Sequence, residues 1–308
     1  MTQNFKNQKP ILALVLIFSV FLGAFLYAQY QASISIFLWK KFDIVPQASV
    51  IINPATAYEI GSGYLFGKPN YEYDAQKGIT YLGRAAILDP TYEGAWFLLG
   101  MARFVEGDFT SAMVYFDKEI NLYDVSTSEN IPYTSYYLKA LTYGFTKQFN
   151  ESAEGFEYLI EINANDSRSW AYYTDLAWVY FQQGRFEDIK NVMEGGEASP
   201  VRLKTTGEDG QEIEVLDQGG FSRYPENPWV LNMYALALHN LEETEKAHGL
   251  FIQAKTTADL LTNSDWIKAY PGNDPGNAAR GLADFREVIE KNIGITSDEY
   301  VENIQSQE

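Results

Sequence analysis

An all-α fold of stacked helical hairpins, with one membrane-spanning helix at the N-terminus, is what this sequence predicts. Three observations carry that reading. An uncharged apolar run opens the chain, small and large apolar residues recur at fixed offsets through its middle, and no catalytic motif interrupts the pattern. With 46% hydrophobic and 21% charged residues, the 308-residue chain can bury a core and does not have the composition of a disordered one.

The apolar run comes first. Pro10 to Trp39 contains no charged residue, and Ile11–Tyr27 is dominated by Leu, Ile, Val and Phe. A helix over 11–30 is about 30 Å long, enough for a bilayer core. Tyr27 and Tyr30 fall where an interfacial aromatic belt sits. A signal-peptidase site needs small residues one and three before the cut, but Leu26 precedes Ala28 and Tyr30 precedes Ala32, so an uncleaved anchor is expected. Lys6 and Lys9 in the tail 1–10 favour a cytoplasmic N-terminus, which places the body on the extracytoplasmic side of a single-pass protein. Residues 31–53 read as a linker. Asn53-Pro54 reads as an N-cap followed by proline at the first helical position.

The repeats start at Trp96, Tyr136, Tyr173 and Leu231. Four residues on stands a small residue: Gly100, Ala140, Ala177 and Ala235. Thirteen on stand Phe109, Phe149 and Phe186, with Thr244 the exception; sixteen on, Ala112, Ser152, Ile189 and Ala247; twenty on, Phe116, Phe156, Met193 and Phe251. An earlier unit shows its second half through Gly78, Leu82 and Ala85. Two antiparallel helices per unit explain the pattern: the small residue lets the second helix approach, and large side chains fill the groove between them. Gly107 and Gly184 fall at the turn between helices. Each unit leaves an apolar face that only its neighbour covers.

This pattern resembles the tetratricopeptide repeat (TPR) family, best in Trp96-x-x-Leu99-Gly100 through Gly107-x-Phe109-x-x-Ala112-x-x-x-Phe116. Arg103 departs from it where the family has Tyr, whereas Tyr143 and Tyr180 fit. The resemblance implies a right-handed TPR α-solenoid of about five hairpin units over 54–260. The starting points lie farther apart than the family's roughly 34-residue period, so segments are inserted near Tyr123–Ile131 and, longest, at about 196–224. The long insertion alternates with period two in Val201–Thr205 and Glu212–Val215, which predicts a β-hairpin. Its apolar odd-numbered residues share a face only if paired residues sum to an even number, such as Leu203 with Val215 and Lys204 with Glu214. That register needs an odd-length loop, most simply Glu208-Asp209-Gly210. Residues 261–294 read as capping helices, the last from about Asn277 to Asn292 with Leu282, Phe285 and Ile289 on one face. The acidic tail 295–308 is expected to fray.

Chemistry finds little support. With no cysteine, disulfides, zinc thiolate sites and cysteine nucleophiles are excluded. Gly61-x-Gly63-x-x-x-Gly67-Lys68 misses the phosphate-loop spacing and lacks its Ser or Thr, so it reads as helix packing. His239 and His248 stand in no metal-binding motif. A formal net charge of −18 repels phosphate backbones and argues against nucleic acid.

In TPR stacks the first helices line the inner surface. The resemblance therefore places Phe97, Met101, Phe104, Tyr137, Leu141, Gly144, Thr174, Trp178, Phe181, Asn232, Leu236 and His239 on a partner-binding face. The Lys, Arg and Asn set with which some family members clamp a carboxylate is missing there. The expectation is a non-catalytic, cofactor-free adaptor or assembly scaffold binding a protein or peptide with a hydrophobic or amphipathic segment. The alternatives are an envelope hydrolase or enzyme accessory subunit with a carboxylate site, and a glycan-binding module using Tyr and Trp.

Overall fold

The helix starts are set by local capping. Asn53 accepts a hydrogen bond from the Thr56 amide with Pro54 at the first helical position, opening α1 (Pro54–Phe66). Asp74 does the same through Lys77 for α2 (Ala75–Leu88), and Asp108 through Ser111 for α4 (Phe109–Ile120), which follows α3 (Ala95–Val105). The remaining helices are α5 (Tyr133–Phe145), α6 (Phe149–Asn163), α7 (Trp170–Gln182), α8 (Phe186–Glu194), the short α9 (Gly220–Arg223), α10 (Pro228–Asn240), α11 (Thr244–Leu260), α12 (Asn263–Ala269) and α13 (Ala278–Gln307). The structure, a computed structural model, describes residues 47–48, 51–123, 132–163, 166, 168–206 and 211–307, and only the backbone of 204–206, 212 and 298–307. The expected membrane helix 11–30 lies outside the described residues, as do the acidic and polar insertion after Tyr123 and the tip of the β-hairpin. Among the described residues no helix is long and apolar enough to cross a membrane.

Two compact units divide after Ala102, within α3. In the first, α1 and α2 meet at small residues: a Cβ on Gly61 would lie 2.7 Å from Leu82, and one on Gly78 3.3 Å from the Gly61 carbonyl. Gly61 therefore serves helix packing, and Gly63 makes room for the Tyr71 ring in the connection between the two helices. Ile51, Ala57, Leu65, Leu82 and Ala85 are fully buried there, and Arg84 holds the incoming chain by donating to the Ile51 carbonyl at 2.8 Å.

The second unit stacks α5/α6, α7/α8 and α10/α11. The residues at the recurring offsets form its interior: Ala140, Ala177, Ala235, Ala112, Ser152, Ile189 and Ala247, with Phe116, Phe156, Met193 and Phe251, all lie at or below 1% exposure. Ser152 donates to the Ala140 carbonyl across the α5–α6 seam at 2.8 Å. Burial of this kind supplies roughly 25 cal/mol per Å² of apolar surface, shared between neighbours in the stack.

The insertion forms antiparallel strands β1 (Arg202–Thr206) and β2 (Glu212–Leu216), paired Leu203↔Val215 and Lys204↔Glu214, a register whose pairs sum to an even number as the alternation requires. Leu203 packs on the helical core while Ile213 and Val215 remain exposed. The hairpin's base is fixed by a close backbone crossing. Gly195 and Gly219 have φ 75° and 81° with ψ near ±155°, a region only glycine occupies. A Cβ on either would lie within 2.4 Å of the other's strand of backbone. Buried Asp217 ties this crossing to the stack, accepting from Tyr173 at 2.7 Å and from Arg223 at 3.2 Å.

The last helix corrects one expectation. It does not stop near Gly294 but runs to Gln307. A helical glycine costs about 1 kcal/mol. Packing outweighs that here, because Thr296 just beyond it is fully buried, with His248 Nδ1 3.0 Å from its hydroxyl. Leu282 and Ile289 are buried in the same helix. Arg286 caps α11 by donating to the carbonyls of Ala258, Asp259 and Leu261 at its C-terminal end.

Candidate functional site

The first helices α5, α7 and α10 carry most of the face assigned from sequence, and the structure sorts its members. Tyr137, Leu141, Trp178, Phe181, Leu236 and His239 are half-buried, as are Phe104 in this unit and Phe97 in the first unit. Met101 is 2% exposed and belongs to the interior of the first unit, because the α3 turn carrying it faces inward with Leu98 and Ala102. Asn232 is 7% exposed, with its side-chain oxygen accepting from Asn292 of α13. Gly144 and Thr174 are buried too.

At the C-terminal ends of the first helices the rings gather. Phe104, Phe109 and Phe145 form a triangle with centroid separations of 5.5–5.6 Å, Phe109 and Phe145 being parallel to within 9°. Phe145 continues to Trp178 at 5.4 Å. Gly144 makes room for that indole: a Cβ there would lie 2.5 Å from Trp178 Cζ3. Phe145, half exposed at 50%, is the most accessible of the four-ring row. Sequence offsets missed it, because the family's face is counted at one, five and eight residues past each start and Phe145 stands at nine.

At the N-terminal ends of α5, α7 and α10 a second cluster surrounds a cavity of about 440 Å³. Trp170 stacks on Trp229 at 4.8 Å, and Trp229 on Phe285 of α13 at 5.3 Å. Tyr137, Tyr172, Trp170 and Trp229 are in the wall, and α12 closes one side through Asp265, Lys268 and Ala269. Tyr137 donates to Asp175 at 2.6 Å, and the Trp229 indole donates to Tyr270 at 2.9 Å. Burial pushes the Asp175 carboxyl up to about 7, although the Tyr137 hydrogen bond acts the other way. Tyr270 is pushed up to about 12, by burial first and then by the Asp175 charge. None of Asp175, Trp170, Trp229 or Tyr270 was among the sequence candidates; the available signal was a tryptophan at the head of two successive first helices.

No family model matches the chain, and no curated protein matches it. Solved structures that resemble it include PilW, a widely conserved type IV pilus biogenesis factor, at 12% identity over 78% of this chain and 94% of that one, with a TM-score of 0.49. Pseudomonas aeruginosa pilF follows at 13% over 80% and 97%, TM-score 0.48. YrrB, a TPR protein with an unusual peptide-binding site, gives 13% over 67% and 87%, TM-score 0.44. At these identities and scores the likenesses assign neither family nor partner; the helical-hairpin architecture stands on its own geometry.

Proposed function

We propose that this chain is a membrane-anchored, non-catalytic adaptor or assembly scaffold of TPR type. It binds a protein or peptide partner by laying an apolar or amphipathic segment over the Phe104–Phe145–Trp178 rings and Leu141. The observation that supports this reading is the ring row itself, held on successive first helices with Phe145 open to solvent. Rigid aromatics are the side chains that anchor interfaces, giving large contact area for little lost freedom.

A photo-crosslinking amino acid placed at Phe145 in the full chain, in its own membranes, tests the face. The control position is Ile252, equally exposed at 48% but on the second helix α11. One discrete adduct from position 145, lost in the Trp178→Ala background and absent from position 252, supports the reading. Adducts of equal yield at both positions, or none at 145, would sink it. The absence of native cysteine makes topology testable in the same cells: Leu260→Cys, 78% exposed, should react with an impermeant maleimide from outside. Labelling only after lysis rejects an extracytoplasmic body.

A further inference from the structure

The cavity at the N-terminal ends of α5, α7 and α10 has no part in that reading, and its chemistry is specific. Its wall is aromatic, through Tyr137, Tyr172, Trp170 and Trp229, and the Trp170–Trp229–Phe285 stack fixes two of the rings in place. Asp175 stands behind the wall, its carboxylate accepting from the hydroxyl of the wall residue Tyr137 at 2.6 Å. Tyr270 lies near enough to feel its charge, and among the described residues no ion pair reaches it. The rim does carry cations, Arg168 and Lys268, but their side chains are 68% and 75% exposed. Each faces its own aspartate, Asp166 and Asp265, at 3.9 Å. The rim charges thus offset one another in pairs, and Asp175, once ionised, is the charge left uncompensated.

Aromatic ring faces are electronegative, and their attraction for a cation grows when water is excluded. A carboxylate beside them adds to the same preference and gives nothing to an anion or a neutral apolar group. The volume lies within the roughly 300–1,000 Å³ range of small-ligand pockets. We propose that this cavity binds an organic cation, a protonated amine or a quaternary ammonium group, with Asp175 as counter-charge and the rings of Tyr137, Tyr172, Trp170 and Trp229 as walls. The cation comes either from a free small molecule or from a lysine side chain that a protein presents.

The test is calorimetric titration of the full chain in detergent with three probes: choline, its neutral isostere 3,3-dimethylbutan-1-ol, and the peptide acetyl-Gly-Lys-Gly-amide. Binding of either cation at least about tenfold tighter than the alcohol is the expected result, since one missing charge contact of about 1.4 kcal/mol is a factor of ten. The tighter of the two cations identifies the source. Affinity for the cation should rise about tenfold from pH 6 to pH 8 as Asp175 ionises through about 7. The other groups facing Asp175 are the Tyr137 and Tyr270 hydroxyls, both raised by burial and so neutral in that window. Arg168, Asp166, Lys268 and Asp265 face the mouth; Asp265 is held below the usual carboxylate range by Thr262. Asp175→Asn should abolish both the charge preference and the pH dependence, with near-UV circular dichroism checking its fold. Trp170→Leu should weaken the cation while keeping the pH dependence. Equal affinity for choline and the alcohol, unchanged choline binding in Asp175→Asn, or no heat from any probe at about 10 mM, a ligand level at which even millimolar affinity registers, each overturns the proposal.

Discussion

Asp175 shows what a single side chain can hide from sequence. It reads as an unremarkable acid on an aromatic helix, and its environment is assembled from Tyr137 of α5 and from Tyr270, far along the chain beyond α12. Because burial raises its carboxyl from 3.8 to about 7, the folded protein holds a proton that the unfolded chain has released between those values. Its contribution to stability is therefore complete below pH 4 and is lost as pH rises to about 7. The slope is at most about 1.4 kcal/mol per pH unit and the whole at most roughly 4 kcal/mol. Asn at this position keeps an acceptor for Tyr137 and never ionises. Asp175→Asn should unfold in urea near the native midpoint at pH 4 and clearly above it at pH 8, the difference growing with pH. Carboxylates lowered by hydrogen bonds, such as Asp74 and Asp108, titrate identically in both proteins and cancel. A difference that does not change with pH would show that Asp175 is ionised throughout.

Elements were more legible than sites, because helix pairing depends on spacing while a site depends on which spacings meet. Ala140, Ala177 and Ala235, with Phe116, Phe156 and Phe251, lie buried where their offsets placed them. The parity of the β-hairpin register followed from alternation, and the simplest odd-length loop selected Leu203 with Val215 within it. The end of α13 did not, since a glycine reads as a stop and only the buried contact at Thr296 overrides it. The turns between paired helices show the same division. The residue eleven past each start adopts a left-handed conformation in all four: Gly107 and Gly184 at φ 79° and 69°, but also Lys147 and Glu242 at 63° and 64°. Glycine announces such a turn; lysine and glutamate conceal it. For a side chain with a Cβ this conformation costs about 1–2 kcal/mol, of which glycine's greater freedom in the unfolded chain returns about half. Lys147→Gly and Glu242→Gly should therefore each stabilise by roughly 0.5–1 kcal/mol. Another hairpin separates them, so the double variant should show the sum. Loss of stability in either, measured by urea unfolding at fixed pH, would mean that its side chain contributes more than its backbone strain costs.

Across the whole molecule, charge opposes compaction. The chain carries 41 acidic and 23 basic residues, a formal net charge of −18. Folding brings like charges together, and that repulsion acts over distances that salt shortens to about 10 Å at 0.1 M. Ion pairs pull the other way, but those present are mostly open to water: Lys246–Glu194 has side chains 50% and 40% exposed, and Lys291–Glu287 68% and 63%. Pairs of that kind contribute about 0–1 kcal/mol and lose most of it to the same screening. Among the described residues Arg223 with fully buried Asp217 is an enclosed exception, shielded from salt by the protein around it. Long-range repulsion should thus respond to salt more than the attractions do. Raising NaCl from about 10 to 200 mM should raise the melting temperature by a few degrees, since 1 kcal/mol corresponds to about 2–4 °C in a chain of this size class. Calorimetry in NaCl and in a matched choline chloride series separates screening from occupation of the cavity, because only the second should add a further shift, and only with Asp175 intact. A melting temperature that falls with NaCl would mean that the exposed pairs, acting as a network, outweigh the repulsion of the whole.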